Sequence, residues 1–492
     1  MRLDDLDPAR ADLARRTLAW CDRWWDDDIG LWWNPPEPGQ LAQPTVHLLP
    51  HSVWYGLGLL LRDRTGDTER AVRLLTTVCD HQYDEPGQVW HGTFTLVHEA
   101  PHPQPGARMW TDYDPNWRQF IATAFLLGEA TFCDRLPAPL VARMDAAVTL
   151  AVEGEPPDRV PANYANIALK KAWLEVEVGH RDGDAALVAR GEDLAREVVA
   201  GYDTHGALEE YNSPTYYGID LYALALWRSH SSSPLLRDEG ARLEAALWRD
   251  LARWYHPGLR NVAGPYTRSY GMDLRTYLAT VGLWVWAALG ADRAPVPDLD
   301  GPFGHAMDVA FGPVVALLGP RIPADVSDRF ARFRGEHVVE QRIAGDRVAT
   351  GWLADRVMIG AETSGIDWSW WDQFHQATIH WAQPDGTVGW LRIRPPAAAE
   401  AVAEPGRLRL AWDATTDTGP ATVTVHATGA DPKACAGTTW RLPGYVIDLA
   451  TDGSPPEVTD TPNGTDGPTV LLGGRPGGGR TTVTLSVRPD DD

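Results

Sequence analysis

Cysteine is scarce in this 492-residue sequence, which contains four, at Cys21, Cys79, Cys133 and Cys435. They are widely separated and form no Cys-x-x-Cys pair, so neither a disulfide framework nor a zinc site built on cysteine is expected. We expect buried free thiols instead.

Long apolar runs and an excess of basic residues are also absent from the sequence. No run approaches the roughly 20 apolar residues that cross a bilayer. The 67 acidic residues outnumber the 44 basic ones, which gives a formal net charge of −23. Because such a surface repels phosphate backbones and anionic membranes, we expect neither as a partner and leave the oligomeric state open.

Residues 1–28, MRLDDLDPARADLARRTLAWCDRWWDDD, lack the pattern of a secretory signal. Acidic side chains stand where a signal peptide has a basic stretch followed by about 7–15 apolar residues. The segment therefore predicts a cytoplasmic protein.

Tryptophan is abundant, with 23 copies, in a sequence whose 44% of hydrophobic residues is ordinary for a globular protein. Several copies are adjacent, as in Trp24–Trp25, Trp32–Trp33 and Trp370–Trp371. Flat indole faces stack on sugar rings, but they also fill protein cores. As a group, the tryptophans favour a carbohydrate ligand.

Helical periodicity of apolar residues extends from the start of the chain to about residue 289. We predict about ten helices in hairpin-like succession, and we expect the long loops 83–114 and 256–271 to be functional. The predicted helices are Pro8–Asp26, Val46–Arg64, Asp67–Gln82, Pro115–Cys133, Ala138–Val152, Asn163–Gly179, Asp184–Tyr202, Pro214–Ser229, Pro234–His256 and Met272–Leu289.

From about residue 301 the pattern changes to alternating polar and apolar residues between turn signals, which predicts an antiparallel sheet region. We expect the segment 451–479, rich in Pro, Gly, Thr and Asp, to form long hairpin loops. The predicted strands are His337–Ile343, Arg347–Leu353, Arg356–Ile359, Ala377–Ala382, Thr387–Arg394, Arg407–Asp413, Ala421–Ala427, Gly444–Leu449, Thr469–Leu472 and Thr481–Val487.

Polar residues crowd the segment Gly206–Asp220, GALEEYNSPTYYGID. We expect Ser213 to cap a helix whose first residue is Pro214. Tyr216 and Asp220 then share one helical face. Buried polar groups are costly unless they bind one another or a ligand, so the cluster is either a structural network or part of a binding site.

Two further predicted helix entries carry polar clusters. One of Asn163 and Asn166 is expected to cap its helix, which leaves the other to face a cavity. In GPYTRSYGMD, Arg268 and Tyr270 can offer a positive charge and a phenol to one ligand, while Asp273 either caps the helix or pairs with Arg268.

A fourth helix entry lies in WTDYDPNWR. Asp114 would be the N-cap and Pro115 the first helical residue, which leaves Asp112, Asn116 and Arg118 without a structural explanation. In a toroid of paired helices such entries converge on one end. This convergence predicts a single site at the toroid mouth.

The histidines offer further candidates. His98 and His102 are four residues apart, but they lie in a proline-containing loop that does not give helical metal-ligand geometry. His375 and His380 lie in the sheet region, from which a loop could reach the toroid mouth. Because no P-loop, GxGxxG, GxSxG or HExxH motif occurs, we assign no cofactor and no metal ligand.

Helical pairs followed by an antiparallel β-sandwich resemble polysaccharide lyases of the (α/α) toroid type, especially the heparinase II/III and alginate lyase group. In that group a motif close to Glu-x-Ser-Pro-x-Tyr-His opens a helix and carries a proton-transfer tyrosine. EYNSPTYY, from Glu210 to Tyr217, matches it with one extra residue after the glutamate and with tyrosine in place of histidine. The match places the family tyrosine at Tyr216.

The resemblance implies a multidomain protein, with an (α/α) toroid over residues 1–300 and an antiparallel β-sandwich over residues 301–492. It also implies an asparagine at an earlier helix start, where Asn166 fits and Asn163 is the alternate. An arginine that follows the tyrosine in related toroid lyases corresponds to Arg268.

The implied reaction is β-elimination on a uronate-containing oligo- or polysaccharide. An amide and an arginine can neutralise the carboxylate, which makes the C5 proton acidic enough for a tyrosine to remove. A chain of this charge favours a short oligosaccharide over a long polyanion. The implied catalytic residues are Tyr216, Asn166, Arg268, Tyr270 and His375, with His380 as the alternate base. The expected substrate-binding residues are Asp112, Asn116, Arg118, Asn212, Tyr217, Glu210 and Asp273.

Two alternatives stay open, together with the identity of the sugar and its linkage. An inverting glycoside hydrolase needs two carboxyl groups about 6.5–9.5 Å apart. A noncatalytic sugar-binding protein would use the tryptophan pairs as platforms. The carboxyl groups available for hydrolysis are Glu209, Glu210, Asp112, Asp114, Asp220 and Asp273.

Overall fold

The computed structural model describes residues 1–35, 46–415, 417–459 and 468–490. Within them, helices precede β-strands along the chain, and this order confirms the prediction of a helical region followed by antiparallel sheets. The described chain forms two units: unit 1 comprises Met1–Gly201, Tyr216–Leu247 and Thr276–Ile322, and unit 2 comprises Tyr202–Thr215, Trp248–Arg275 and Pro323–Asp492.

The helices follow the amphipathic spacing of the sequence. Asp7 begins the first one by accepting hydrogen bonds from the backbone of Ala9 and Arg10, with Pro8 at the first helical position. The α-helices of the described residues are α1 (Pro8–Cys21), α2 (Leu49–Arg62), α3 (Asp67–Cys79), α4 (Trp117–Phe132), α5 (Ala138–Glu153), α6 (Ala165–Asp182), α7 (Ala185–His205), α8 (Tyr216–His230), α9 (Pro234–Trp254), α10 (Thr280–Leu289), α11 (Gly312–Leu318) and α12 (Ala324–Ser327).

The predicted helix Met272–Leu289 is wrong over its first half, because α10 begins only at Thr280. Immediately before it, Tyr277 pairs with Gly304, and the Leu278 amide donates to the Gly304 carbonyl over 2.9 Å. This long-range pairing holds the backbone extended where the apolar spacing suggested a helix.

Unit 1 is built around a closed ring of helices. Helix α2 packs against α4, α4 against α6, α6 against α8, and α8 against α10. Helix α10 in turn packs against α1, and α1 packs against α2, which closes the ring. Helices α3 and α5 cover α2 and α4, and α11 packs against α1, α2, α8 and α10. Paired helices around a ring are the toroid arrangement expected from the sequence.

The strands of unit 2 form two large antiparallel sheets. The strands of the described residues are β1 (Trp25–Asp26), β2 (Leu31–Trp32), β3 (Tyr255–His256), β4 (Asn261–Val262), β5 (His337–Ala344), β6 (Arg347–Ala354), β7 (Val357–Thr363), β8 (Ala377–Ala382), β9 (Val388–Arg394), β10 (Ala399–Glu404), β11 (Arg407–Ala414), β12 (Ala421–His426), β13 (Thr439–Leu442), β14 (Tyr445–Thr451), β15 (Glu457–Thr459), β16 (Thr469–Leu472) and β17 (Gly479–Pro489). The eight-stranded sheet has the order β15-β16-β12-β9-β8-β7-β6-β5 and the five-stranded sheet the order β10-β11-β17-β14-β13.

One apolar core lies between the two sheets and includes Trp381, Trp412 and Trp440. Because side chains alternate along a strand, the neighbours of Trp381, such as His380, point to the opposite face of the eight-stranded sheet. The structure therefore confirms a β-sandwich. Part of the predicted loop region 451–479 lies outside the described residues, since residues 460–467 are not among them.

Seven observed strands are missing from the sequence prediction: β10, β13 and β15 of the two large sheets, and the short strands β1, β2, β3 and β4. Strand β10 has the sequence AEAVAE, and alanine and glutamate have low strand propensity. Its pairing with β11 decides its conformation.

Candidate active site

The N-terminal ends of four ring helices meet inside unit 1. Trp54 of α2 and Phe120 of α4 have ring centroids 6.2 Å apart, and Lys170 Nζ of α6 lies 3.3 Å from the Phe120 centroid. The Tyr222 hydroxyl of α8 donates to Thr123 Oγ1 of α4 over 3.0 Å. Every one of these residues lies in the first two turns of its helix. We call the first two turns of α2, α4, α6 and α8 the ring entrance.

Helix α6 presents an amide and an ammonium to the interior of the ring. Asn166 and Lys170 share a face because four positions separate them. Asn166 is 1% exposed and Lys170 is fully buried, which is unusual for a lysine. Tyr164 takes the N-cap position of α6, so the prediction that Asn163 or Asn166 caps this helix is wrong.

Helix α8 begins at Tyr216 rather than at Pro214. Tyr216 is half-buried, whereas Tyr217 and Asp220 are buried. Tyr216 and Asp220 lie on one face of α8, as their spacing predicts. Helix α8 packs directly against α6.

A partly buried hydrogen-bond network fixes the start of α4. Asn116 donates from Nδ2 to the Tyr164 hydroxyl over 2.8 Å and accepts from Arg159 over 2.9 Å. Glu155 accepts from Arg159 over 2.6 Å and from Gln119 over 2.8 Å. Asn116, predicted to bind substrate, therefore ties the start of α4 to the segment that leads into α6.

Arg118 and Asp112, also predicted to bind substrate, hold the long loop that precedes α4. Arg118 is 1% exposed and donates to the backbone carbonyls of His91, over 3.0 Å, and Val89, over 3.2 Å. Asp112 is exposed and accepts from the Arg108 amide over 2.7 Å. These hydrogen bonds give both side chains, Arg118 and Asp112, a structural role.

A pair of histidines flanks a half-buried aspartate, Asp308, beside α2. His51 Nε2 lies 3.5 Å from Asp308 Oδ1, and His305 Nδ1 lies 3.8 Å from Asp308 Oδ2. The His51 ring also stacks on Trp32. Burial raises the pKa of Asp308, but hydrogen bonding to His305 and His51 outweighs it and holds that pKa below its ordinary value. Asp308 was not predicted as a site residue, because it stands more than 250 positions from His51 in the sequence.

The remaining predicted site residues lie in unit 2, where Arg268 organises a cluster. Its guanidinium lies 3.1 Å from Glu210 Oε1 and donates to Gln373 Oε1 over 3.2 Å. It also lies 5.5 Å from the Trp371 ring centroid. The Ser213 hydroxyl donates to the Arg268 carbonyl over 2.5 Å, which is a different contact from the expected helix cap.

Asn212 and Asp273 are bound to other protein groups in unit 2. Asn212 Nδ2 donates to two carbonyls of the segment 263–265. Asp273 accepts from Asn261 over 2.8 Å and from the Arg275 amide over 2.9 Å. Asp273 therefore caps a turn, not the helix predicted to start at this point.

The sheet histidines are buried on the face opposite the core. His375 Nε2 contacts the Ser269 carbonyl at 3.2 Å, and His380 Nε2 contacts the Met272 carbonyl at 2.9 Å. Burial lowers the pKa of His375 to about 3 and that of His380 to about 4, so both rings are neutral near pH 7. Tyr270 is 38% exposed.

The predicted site residues thus divide between the two units, and their roles stay predictions. The members in unit 1 are Asp112, Asn116, Arg118, Asn166, Tyr216 and Tyr217, and those in unit 2 are Glu210, Asn212, Arg268, Tyr270, Asp273 and His375.

Lys170 is a residue that the sequence analysis missed, and a signal for it existed. It is one of three lysines in the sequence and stands four positions after Asn166 in an apolar helix. A lysine on the apolar face of a helix indicates a buried charge that needs a partner.

Neither a metal-binding cluster nor a membrane-spanning helix is found among the described residues. No group of three or more His, Cys, Asp or Glu side chains in those ranges is placed to hold a metal ion. No helix in the same ranges combines the length and apolar character needed to cross a bilayer.

Two family models match the chain. One, described as Domain of unknown function (DUF8769), matches residues 11–320, and the other, Domain of unknown function (DUF8770), matches residues 336–458. No curated protein matches the chain.

Several solved structures resemble the chain at low identity. The chondroitin AC lyase of Streptomyces coelicolor A3, in complex with chondroitin sulphate, is 11% identical with a TM-score of 0.46, over 98% of this chain and 79% of that chain. A heparinase III is 10% identical with a TM-score of 0.35, over 97% of this chain and 84% of that chain. Rex8A of Paenibacillus barcinonensis, in complex with an arabinofuranosyl-xylotetraose, is 14% identical with a TM-score of 0.36, over 63% of this chain and 92% of that chain.

Proposed function

Because this chain belongs to the family described as Domain of unknown function (DUF8769), we propose its function from its own residues: a carbohydrate-active enzyme that cleaves a uronate-containing oligosaccharide by β-elimination. The observation that carries the proposal is the placement of Asn166 and Tyr216. They stand in the first turns of α6 and α8, two helices that pack against each other within unit 1.

Elimination begins at the C5 hydrogen of the uronate, which is weakly acidic while the adjacent carboxylate keeps its full charge. The Asn166 amide donates to that carboxylate, and the buried Lys170 ammonium supplies positive charge on the same helical face. In a site from which water is excluded, such preorganised groups stabilise the charge that develops as the proton leaves.

Tyr216 is the proton-transfer residue in this mechanism. Its phenolate oxygen takes the C5 proton, the electrons of the C–H bond form the C4–C5 double bond, and the C4–O bond breaks. Tyr216 then gives the proton to the departing oxygen, which restores the phenolate. Its half-buried position at the ring entrance suits a group that must meet both the substrate and the interior of the ring.

Three of the six carboxyl groups considered for inverting hydrolysis already have partners within the protein. Glu210 is paired with Arg268, Asp112 accepts from the Arg108 amide, and Asp273 accepts from the Arg275 amide. Hydrolysis needs one carboxyl group that is free to protonate the leaving oxygen. Because these three carboxyl groups already bind other protein groups, they are less suited to protonate the leaving oxygen.

The experiment that tests the proposal follows ultraviolet absorbance while the full-length protein is incubated with uronate-containing oligosaccharides. Elimination produces a conjugated, unsaturated uronate, so we expect a steady rise. Reducing ends are counted in the same samples. New reducing ends without absorbance would contradict elimination and support a hydrolase.

A further inference from the structure

The loop between β7 and β8 in unit 2 exposes an aromatic surface. Trp370 is 72% exposed, and its ring is nearly parallel to that of Trp371, with an angle of 14° and a centroid distance of 5.8 Å. Trp368 lies 6.2 Å and 5.7 Å from these two rings. Large aromatic side chains left in water are unfavourable, and a contiguous patch of them indicates a binding surface.

The loop holds its conformation through its own contacts. The Trp368 ring packs against Phe374 at 5.1 Å, and its indole N–H donates to Ser364 Oγ over 3.3 Å. The Trp371 amide donates to the Trp368 carbonyl over 2.9 Å. The aromatic faces are therefore positioned before any ligand arrives, which reduces the entropy lost on binding.

Arginines from three separate segments surround these tryptophans. Arg268 lies over the Trp371 ring at 5.5 Å, and Arg347 of β6 lies over the Trp368 ring at 5.7 Å. Arg394 of β9 donates to the Ser369 carbonyl of the loop over 3.4 Å. Three guanidinium groups thus lie beside the aromatic surface, whose loop also carries the carboxylates of Asp367 and Asp372.

Not all of this charge is available to a ligand. Arg347 is buried in an ion pair with Glu362 at 2.8 Å, and Arg268 is paired with Glu210 at 3.1 Å. Arg394 is half-exposed, and among the described residues no ion pair with it is found. Arg394 is therefore the cation best placed to meet an anionic group at the edge of the loop.

We propose that Trp368, Trp370, Trp371, Arg268 and Arg394, here called the Trp–Arg surface, bind an anionic glycan. A sugar face stacks on the exposed ring of Trp370, and the guanidinium of Arg394 donates hydrogen bonds to a carboxylate or sulfate group. The anionic group comes from a uronate or from a sulfate ester, which share this chemistry. Arg268 is also one of the predicted catalytic residues, so the tests below use Trp370 and Arg394, which are not, and measure binding without turnover.

The test measures binding by calorimetry with the full-length Tyr216→Phe variant, so that turnover cannot consume the ligand. Three probes are used: a uronate trisaccharide, a sulfated neutral-sugar trisaccharide and an unmodified neutral trisaccharide. We expect at least one anionic probe to bind more tightly than the neutral one, and its affinity to fall as salt is raised. The stronger anionic probe identifies the group that the surface recognises.

Two variants locate the binding. Trp370→Ala is expected to weaken the anionic probe about tenfold, and Arg394→Gln to remove most of the preference for it over the neutral probe. Trp110→Ala, which truncates another exposed tryptophan at 56% exposure in unit 1, is the matched control and should bind as the parent does.

The proposal is overturned if the neutral probe binds as tightly as both anionic ones, or if Trp370→Ala binds like the Trp110→Ala control. Neither result tests the proposed elimination, which is measured by product absorbance with wild-type protein. Conversely, an enzyme that shows no elimination can still bind an anionic glycan at this surface. The two proposals therefore fail independently.

Discussion

The ring entrance of unit 1 and the Trp–Arg surface of unit 2 keep their polar and aromatic groups in opposite environments. At the ring entrance Lys170 is fully buried against Phe120, whereas on the Trp–Arg surface Trp370 is 72% exposed. Burial strengthens electrostatic interactions and suits bond breaking, while exposure leaves an aromatic face for a ligand to cover. This difference agrees with the roles proposed above, bond cleavage at the ring entrance and ligand recognition at the Trp–Arg surface.

The largest effect is expected from Tyr216→Phe, which removes the proton-transfer oxygen but keeps the ring. Turnover of the uronate oligosaccharide should fall about a thousandfold, because general acid–base groups contribute on this order. The melting temperature should change by no more than a few degrees. Tyr445→Phe, which removes a phenol oxygen from unit 2, is the control and should keep its activity. A Tyr216→Phe enzyme with normal turnover would break the assignment of chemistry to the ring entrance.

A large loss of stability is expected when the buried ion pair next to the Trp–Arg surface is broken. Arg347 and Glu362 form an ion pair with both side chains at least 94% buried. Arg347→Met leaves a buried carboxylate unpaired and should lower the free energy of unfolding by about 3–5 kcal/mol. Chemical denaturation measures this change.

An exposed ion pair provides the matched control for that experiment. Arg488 and Asp448 lie 3.4 Å apart with side chains about half exposed. Arg488→Met should cost no more than about 1 kcal/mol. Equal losses in the two variants would mean that burial is not what makes the Arg347–Glu362 pair important.

The buried sheet histidines should make stability depend on pH. The pKa of His380 is lowered by burial to about 4, below the ordinary value near 6.5 that it regains on unfolding. Below pH about 6.5 the unfolded chain binds a proton that the folded chain refuses, so the free energy of unfolding should fall as pH drops from about 6.5 to 4.

Replacing His380 sharpens this prediction. His380→Gln keeps a donor toward the Met272 carbonyl but cannot titrate, so denaturation midpoints measured from pH 7.5 to 5 should fall less steeply than in the parent. His180→Gln, at an exposed position, should leave the slope unchanged. A parent-like slope in His380→Gln would show that this burial does not govern the pH dependence.

The smallest effect is expected from Trp370→Ala on stability. Because its ring is mostly in water, its loss should change the free energy of unfolding by no more than about 0.5 kcal/mol. Trp381→Ala, in the sandwich core, should cost about 3–5 kcal/mol. A large loss in Trp370→Ala would make the exposed ring a structural element and weaken its assignment to recognition.

Periodicity was sufficient to predict most helices and strands, because it reports which face each element buries. It failed where distant residues decided the conformation. The helix predicted from Met272 starts eight residues late because Tyr277 and Leu278 pair with Gly304. Strand β10 was missed because its partner β11, and not its own composition, holds it extended.

The candidate site was predictable only in part for a similar reason. The spacing of Tyr216 and Asp220 correctly placed them on one helical face, since i and i+4 are neighbours on any helix. Contacts between residues far apart in sequence could not be predicted. Arg268 was expected to pair with Asp273 or a ligand, whereas in the structure it pairs with Glu210. The association of Asp308 with His51 likewise depends on tertiary packing.

The most direct test of the central claim is mass spectrometry of the products formed from a uronate oligosaccharide in water enriched in heavy oxygen. Elimination breaks the C4–O bond without adding water, so the account predicts products that carry no heavy oxygen at the cleaved bond and an unsaturated sugar at the new end. One heavy oxygen incorporated at each cleavage, with a saturated sugar at the new end, would contradict elimination and establish hydrolysis.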